Sequence, residues 1–141
     1  MSPLLRIYAI TSIVLALKMA AISIAQGRAR LATKIFVNPE DATTFGGKAM
    51  PEEAPAVQRG AKAWRNDLEN IPIFLILAWI YVAAGLSTVA FAIYCGVFTL
   101  ARIAHTICYL NSIQPWRTYA YTVGSIVTLV LMIQLLIRVV F

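Results

Sequence analysis

The sequence predicts an all-α integral membrane protein, a four-helix bundle in a single domain that covers residues 1–141. Composition is the first reason: 60% of the residues are hydrophobic and 13% are charged, whereas soluble domains average about 45–50% and about 25%. The second reason is that the chain holds four apolar segments near the roughly 20 residues that cross a bilayer. Short turns join the last three segments, which favours antiparallel neighbours in a bundle.

We predict the four spans at about residues 4–31, 57–84, 87–110 and 116–141. The first is expected to be a retained span, because its apolar run lacks the small-residue cleavage site of a signal peptide. The second reaches spanning length only if its helix starts upstream, inside the polar stretch "AKAWRNDLEN". Gly85-Leu86 and "NSIQP" (residues 111–115) form the two turns, and Pro115 is placed to open the last helix.

The one long connection, about residues 32–56, contains "NPED", "GGK" and "MPEEAP", and these turn formers predict a surface loop. Most basic residues fall on the same membrane face as this loop: Arg28, Arg30, Lys34, Lys48, Arg59, Lys62, Arg65 and Arg117. The opposite face offers Arg6 and Arg138. The positive-inside rule therefore predicts a cytoplasmic loop, in a bacterial inner membrane or the endoplasmic reticulum. It accounts for the net charge of +6 without a nucleic-acid partner.

Four polar side chains of the second span share one helical face: Lys62, Arg65, Asn66 and Glu69. At about 100° per residue they fall within an arc of about 100°, while Asp67 lies about 140° from Lys62 and points elsewhere. Charges at membrane depth are costly and almost always face a bundle interior or a cavity. This polar face is therefore expected to look at other helices.

The third and fourth spans bring further polar groups to the same depth: Arg102, His105, Tyr109, Arg117, Thr118 and Tyr121. Each has a simpler interpretation, since the tyrosines suit an aromatic belt and Arg102 suits an ion pair with Glu69 or Asp67. Mid-span Lys18 is expected to pair with a neighbouring helix. Taken together, the groups predict a site for a zwitterionic, net anionic molecule that enters from the cytoplasm.

The sequence lacks the residue patterns typical of metal sites, catalytic triads and phosphate-binding loops. The chain has a single histidine and no set of cysteines at metal-ligand spacing, so no metal site is expected. Cys95 and Cys108 lie in apolar segments and are interpreted as packing residues. The chain shows neither a Ser-His-Asp arrangement nor a glycine loop of the phosphate-binding kind.

Four motifs in order carry a resemblance to a known family: "FVNPEDATTFGGK", "RNDLEN" before an apolar span, "ARIAHTICYL" and "PWRTYAY". From about Lys18 to Thr122 the chain resembles the MAPEG family of membrane proteins in eicosanoid and glutathione metabolism. It is similar to the branch of that family with microsomal glutathione transferases and prostaglandin E synthases. The resemblance implies a homotrimer with glutathione as cosubstrate, bound at subunit interfaces near the cytoplasmic side.

The resemblance also implies which residues bind glutathione: Arg30 of the adjacent subunit, Lys62, Arg65, Asn66, Glu69, His105, Tyr109, Arg117 and Tyr121. It implies catalytic roles for Arg117 at the sulfur, for the Thr118 hydroxyl, and for Asp41 as a residue that orients Arg117 or a nearby hydroxyl; a turn-forming role for Asp41 stays open. Arg102 would be a structural ion-pair member. The chain departs from its relatives at three positions. Relatives often have Arg in place of Lys62, His in place of Trp64 and a polar residue in place of Phe45.

The function implied is a membrane glutathione transferase that conjugates lipophilic electrophiles, with peroxidase activity on lipid hydroperoxides as an additional expectation. The partners would be glutathione, a lipophilic small molecule and the bilayer. A glutathione-dependent prostaglandin-endoperoxide isomerase is the alternative, because it needs the same thiolate. A non-enzymatic membrane scaffold is a third class, which the presence of both Arg30 and Arg117 disfavours.

Overall fold

The computed structural model describes all residues, Met1–Phe141, and contains five helices. Four are long and apolar enough to cross a membrane: α1 (Pro3–Thr33), α3 (Pro55–Ala83), α4 (Thr88–Leu110) and α5 (Trp116–Val140). The fifth, α2 (Pro39–Phe45), is short and lies between α1 and α3. The all-α bundle predicted from the sequence is confirmed.

Local chemistry explains where the long helices begin and end. Ser2 caps α1, its hydroxyl accepting from the Leu5 amide at 3.2 Å, and Ser87 caps α4 in the same way. An N-cap hydroxyl satisfies one of the amides that a helix start leaves without a partner. Gly85, at φ 61°, makes the reversal between α3 and α4, a left-handed conformation that glycine adopts without steric cost.

The connection predicted as a surface loop holds regular structure that the sequence reasoning missed. The segment "NPED" starts α2, with Pro39 in its first turn and Glu40 and Asp41 beside it, where acidic groups favour the helix dipole. Two short strands flank this helix in the sequence, β1 (Ile35–Phe36) before it and β2 (Lys48–Ala49) after it. They pair with each other in parallel. The pairing folds the connection back onto the end of α1.

Aromatic side chains fill the bundle core. Phe74 of α3 stacks on Phe98 of α4 with ring centroids 3.8 Å apart, and Tyr81 stacks on Phe91 at 5.0 Å. The outside of the helices is apolar as well, with exposed residues such as Leu17, Ile76, Leu100, Leu129 and Leu136. Soluble monomers rarely expose such continuous apolar surface, so this exterior suits lipid.

A hydrogen bond inside the spans joins the last two helices: the Tyr94 hydroxyl donates to Gln134 Oε1 at 2.7 Å. Interhelical hydrogen bonds within membrane proteins contribute about 0.6 kcal/mol on average. We expect Tyr94→Phe to lower the free energy of unfolding by about that amount, measured by thermal unfolding in detergent. Tyr119→Phe is the matched control, because the exposed Tyr119 makes no such bond. Equal loss in both variants would contradict the assignment.

Candidate functional site

A buried ion-pair cluster lies where α1, α3 and α4 meet. Lys18 of α1 and Arg102 of α4 both bind the carboxylate of Asp67 on α3. Arg102 donates to Asp67 Oδ1 from Nε at 3.2 Å and from Nη2 at 2.6 Å, while Lys18 donates to Oδ2. The side chains of Lys18, Asp67 and Arg102 are 9%, 0% and 1% exposed. In their usual protonation states, one carboxylate faces two cations, so this Lys18–Asp67–Arg102 cluster carries one excess positive charge.

This cluster corrects the helical-face prediction for α3. Asp67 belongs to the stripe that faces the core, in line with Ala63, Ile71 and Phe74, and it is the acidic partner of Arg102 in preference to Glu69. The sequence reasoning grouped the polar residues with one another. It overlooked that the small and apolar residues three or four positions from Asp67 define the inward face.

The polar face of α3 lies outward within one subunit, so the helices that it is expected to look at are not those of its own bundle. Arg65 and Glu69 pair at 3.4 Å one helical turn apart, with side chains 81% and 60% exposed. Lys62 is exposed beside them, and Asn66 is half-buried at the edge. Charged groups on a spanning helix avoid lipid, and no contact within the subunit covers this face.

A second cluster joins α4 to the start of α5, and we call it the His105–Arg117 cluster: His105, Tyr109, Arg117 and Tyr121. The His105 ring lies 5.6 Å from the Tyr109 ring and 6.0 Å from the Tyr121 ring. The Arg117 guanidinium sits 4.8 Å above the Tyr109 ring centroid, a cation–π contact. His105 is 3% exposed and its Nδ1 has no hydrogen-bond partner. The structure thus brings four of the predicted site residues together.

Gln114 supports this cluster, and the sequence reasoning missed it. We assign its amide so that the oxygen accepts from Arg117 Nε at 3.0 Å and the nitrogen donates to Thr118 Oγ1 at 3.1 Å. Gln114 was interpreted only as part of a turn. Its position three and four residues before Arg117 and Thr118 was the available signal, because side chains at that spacing come close where a turn leads into a helix.

Asn66 extends the Lys18–Asp67–Arg102 cluster along α3. Arg102 Nη2 donates to Asn66 Oδ1 at 2.6 Å, so the amide oxygen faces the buried ion pair. The amide nitrogen has no partner within the subunit and is left as a hydrogen-bond donor. On the side of α5, Gly124 packs against Arg102, and a Cβ added there would stand in ordinary van der Waals contact, 3.7 Å from the Arg102 Cδ atom.

Two predicted site residues lie apart from Arg117 within the subunit. Arg30, near the end of α1, donates from Nε to Glu53 Oε1 at 2.8 Å, and its side chain is 38% exposed. Asp41 accepts from Asn38 at 3.1 Å in the first turn of α2. Neither forms an ion pair or a hydrogen bond with Arg117.

An apolar groove of about 490 Å³ runs between α4 and α5. Its walls include Leu100, Ala104 and Cys108 of α4, and Trp116 and Tyr119 of α5. Trp116 is the residue before Arg117, but no residue of the His105–Arg117 cluster lines the groove. Its lining offers contacts to an apolar molecule and almost none to a polar one.

The chain is similar over most of its length to one protein family and to several known proteins. The family model described as "MAPEG family" matches residues 8–137. Human prostaglandin E synthase is 35% identical over 136 residues, which cover 96% of this chain and 90% of that protein. The mouse prostaglandin E synthase is 34% identical over 130 residues, covering 92% and 85%. Rat microsomal glutathione S-transferase 1 is 40% identical over 124 residues, covering 84% and 80%.

Proposed function

Because this chain belongs to the MAPEG family, we propose that it is a multi-pass membrane enzyme that ionises the thiol of glutathione and transfers the thiolate to a lipophilic electrophile. Reduction of lipid hydroperoxides by the same thiolate is the accompanying activity. The name of one relative, rat microsomal glutathione S-transferase 1, supports the use of glutathione.

Arg117 carries the proposal. Its guanidinium lies over Tyr109 and is held by the neutral amide of Gln114, with no carboxylate paired to it. Structural arginines at membrane depth pair with acids, as Arg102 does with Asp67. An arginine that has ring and amide contacts but no anion is suited to receive one from a ligand.

The chemistry follows from the charge of the thiolate. A free thiol has a pKa of about 8.5, so it is mostly protonated at neutral pH, and the thiolate is the nucleophile. A guanidinium about 4 Å from the sulfur attracts the thiolate by about 4 kcal/mol at an effective dielectric near 20, before desolvation is subtracted. Since one pKa unit corresponds to about 1.4 kcal/mol, a fall of roughly one to three units is within reach.

In the transfer step, the sulfur forms a bond to an electrophilic carbon and the leaving group departs with its electron pair. The thiol proton goes to solvent when the thiolate forms. We assign the hydroxyl of Thr118 as a hydrogen-bond donor to the sulfur. Asp41 is proposed to orient Arg117 from a neighbouring subunit, because no contact joins them within one subunit.

The remaining polar groups are proposed to hold the rest of the tripeptide. Glutathione has two carboxylates and one ammonium, which suit the cations and the one acid of the predicted set: Arg30, Lys62, Arg65, Asn66, Glu69, His105, Tyr109 and Tyr121. The outward polar face of α3 supports a homotrimer, because a second copy of the chain covers those charges where lipid cannot. Arg30 of the adjacent subunit then completes the site.

The basic loop face is proposed to lie in the cytoplasm, so that glutathione enters from water. The lipophilic substrate partitions in from the bilayer. The apolar groove between α4 and α5 supports this arrangement, because it offers apolar walls within the spans and includes Trp116, the residue before Arg117.

Purified protein in detergent tests the proposal directly. We expect calorimetric binding of glutathione and glutathione-dependent conjugation of an aryl halide, with reduction of a lipid hydroperoxide as a second activity. A protein that binds no glutathione and catalyses neither reaction would overturn the proposal and favour a scaffold.

The prostaglandin E synthases among the relatives support a second candidate, the isomerisation of a prostaglandin-type endoperoxide. This reaction uses the same thiolate but returns glutathione unchanged. Product analysis separates the candidates: with endoperoxide, an isomerase forms a keto-alcohol without consuming glutathione, whereas a transferase with an electrophile consumes one glutathione per turnover.

Gln114 gives a further prediction. The substitution Gln114→Leu removes the amide oxygen that holds Arg117, and hydrogen bonds to charged groups contribute about 1.5–3 kcal/mol. We expect conjugation kcat/KM to fall about 10- to 100-fold. The control is Asn111→Leu, which alters the same turn but removes only a bond to the Ile107 carbonyl. If the Gln114→Leu variant keeps the parent rate, Gln114 does not position Arg117.

A further inference from the structure

The Lys18–Asp67–Arg102 cluster contains two cations and one carboxylate, which is one positive charge more than a neutral ion pair has. Arg102 alone matches Asp67, with two donors on one carboxylate oxygen. Lys18 adds a second cation on the other oxygen and is itself almost fully buried. A purely structural ion pair would be neutral. A net positive charge at this depth is costly unless a nearby anion balances it.

Arg102 places this charge next to residues of the proposed ligand site. Its Nη2 atom bonds Asn66, whose amide nitrogen remains free to donate. His105, one turn further along α4, is buried with an unpartnered Nδ1 atom. The excess charge and these two free polar groups therefore lie at the same junction of α3 and α4.

Burial makes the charge effective over a distance. Interactions between exposed charges are largely screened by salt beyond roughly 8–10 Å, whereas buried charges are screened much less. The exposed cations of the loop face attract many anions weakly, but Lys18 acts within a low-dielectric interior. A unit charge acting on another over roughly 10 Å at an effective dielectric near 20 changes a binding constant about tenfold.

We propose that Lys18 is a specificity-determining residue that favours the anionic form of the ligand through the Lys18–Asp67–Arg102 cluster without touching it. The inference rests on the proposed function, because it takes glutathione as the ligand. Glutathione carries two carboxylates and one ammonium, so its net charge is −1 with the thiol protonated. Its monoethyl ester lacks one carboxylate and is neutral overall.

The test compares the affinities of the detergent-purified protein for glutathione and for glutathione monoethyl ester by calorimetry. Lys18→Met keeps most of the side-chain length and leaves Asp67 paired with Arg102, so the bundle is expected to fold. We expect this variant to lose about tenfold in affinity for glutathione and to change little for the ester. Lys18→Arg, which keeps the charge, should retain the parent preference.

Arg6→Met is the matched control, because it removes one cation from the same helix at an exposed position and should leave both affinities unchanged. A merely structural Lys18 would weaken both ligands by the same factor in Lys18→Met, and that result overturns the inference. An unchanged glutathione affinity in Lys18→Met overturns it as well. If the parent protein binds neither ligand, the proposed function itself has failed, which is a different outcome.

Discussion

Replacing Arg117 with Ala is expected to lower conjugation turnover by about 10²–10³-fold, the loss that follows removal of one preorganised group at a developing or stabilised anion. The reason is that Arg117 is the cation of the His105–Arg117 cluster, and no carboxylate within the subunit is paired with it. Without it, glutathione at neutral pH remains a thiol and reacts slowly. The thiolate absorbance of the bound ligand, titrated against pH, should move to the pKa of free glutathione.

Two variants make this result specific. Arg117→Lys keeps the charge but loses the planar fork that Gln114 and the Tyr109 ring hold, so an intermediate rate and an intermediate thiolate pKa are expected. Arg28→Ala removes an exposed arginine at the end of α1 and should leave both unchanged. If Arg117→Ala keeps the thiolate absorbance of the parent, another group ionises the sulfur.

Replacing Asp67 with Ala is expected to destabilise the protein by about 3–5 kcal/mol, the loss that follows removal of one partner from a buried ion pair. Two cations, Lys18 and Arg102, would then face each other at membrane depth without an anion. Thermal unfolding in detergent measures the effect. Aggregation during expression would be the same effect in a more severe form.

A compensated variant separates lost charge balance from lost packing. Combining Asp67→Leu with Lys18→Met and Arg102→Met replaces the whole cluster with apolar side chains, and such replacements are often neutral or stabilising. We expect most of the lost stability to return, together with weakened glutathione binding because Asn66 loses Arg102. If Asp67→Ala alone unfolds at the temperature of the parent, the cluster does not hold α1, α3 and α4 together.

The four spanning helices could be predicted because spanning length and apolar composition are properties of continuous stretches of sequence. The placement of His105, Tyr109 and Tyr121 on facing sides of α4 and α5 also follows from helical period and a short turn. Asp67 could not be placed in the same way. Its direction depends on which stripe of α3 packs inward, and apolar residues on all sides of a spanning helix weaken that signal.

The connection before α3 shows a second limit. Its turn formers predicted a loop, yet Asn38, Pro39 and the two acids after it start α2. The strand pairing of Ile35 with Lys48 depends on contacts between residues far apart in sequence, which local propensity does not encode. Gln114 was missed for a related reason, since a turn residue acquires its role only when Arg117 folds back toward it.

Under the proposed function, Arg117 holds the ionised sulfur of glutathione in a site shared by neighbouring subunits. A structure of the protein with glutathione bound tests this most directly. We predict the sulfur roughly 3.5 Å from the Arg117 guanidinium, with the tripeptide between α3, α4 and α5 of one subunit and Arg30 of the next. A ligand whose sulfur lies against another residue, or a tripeptide bound away from His105 and Arg117, would contradict the account.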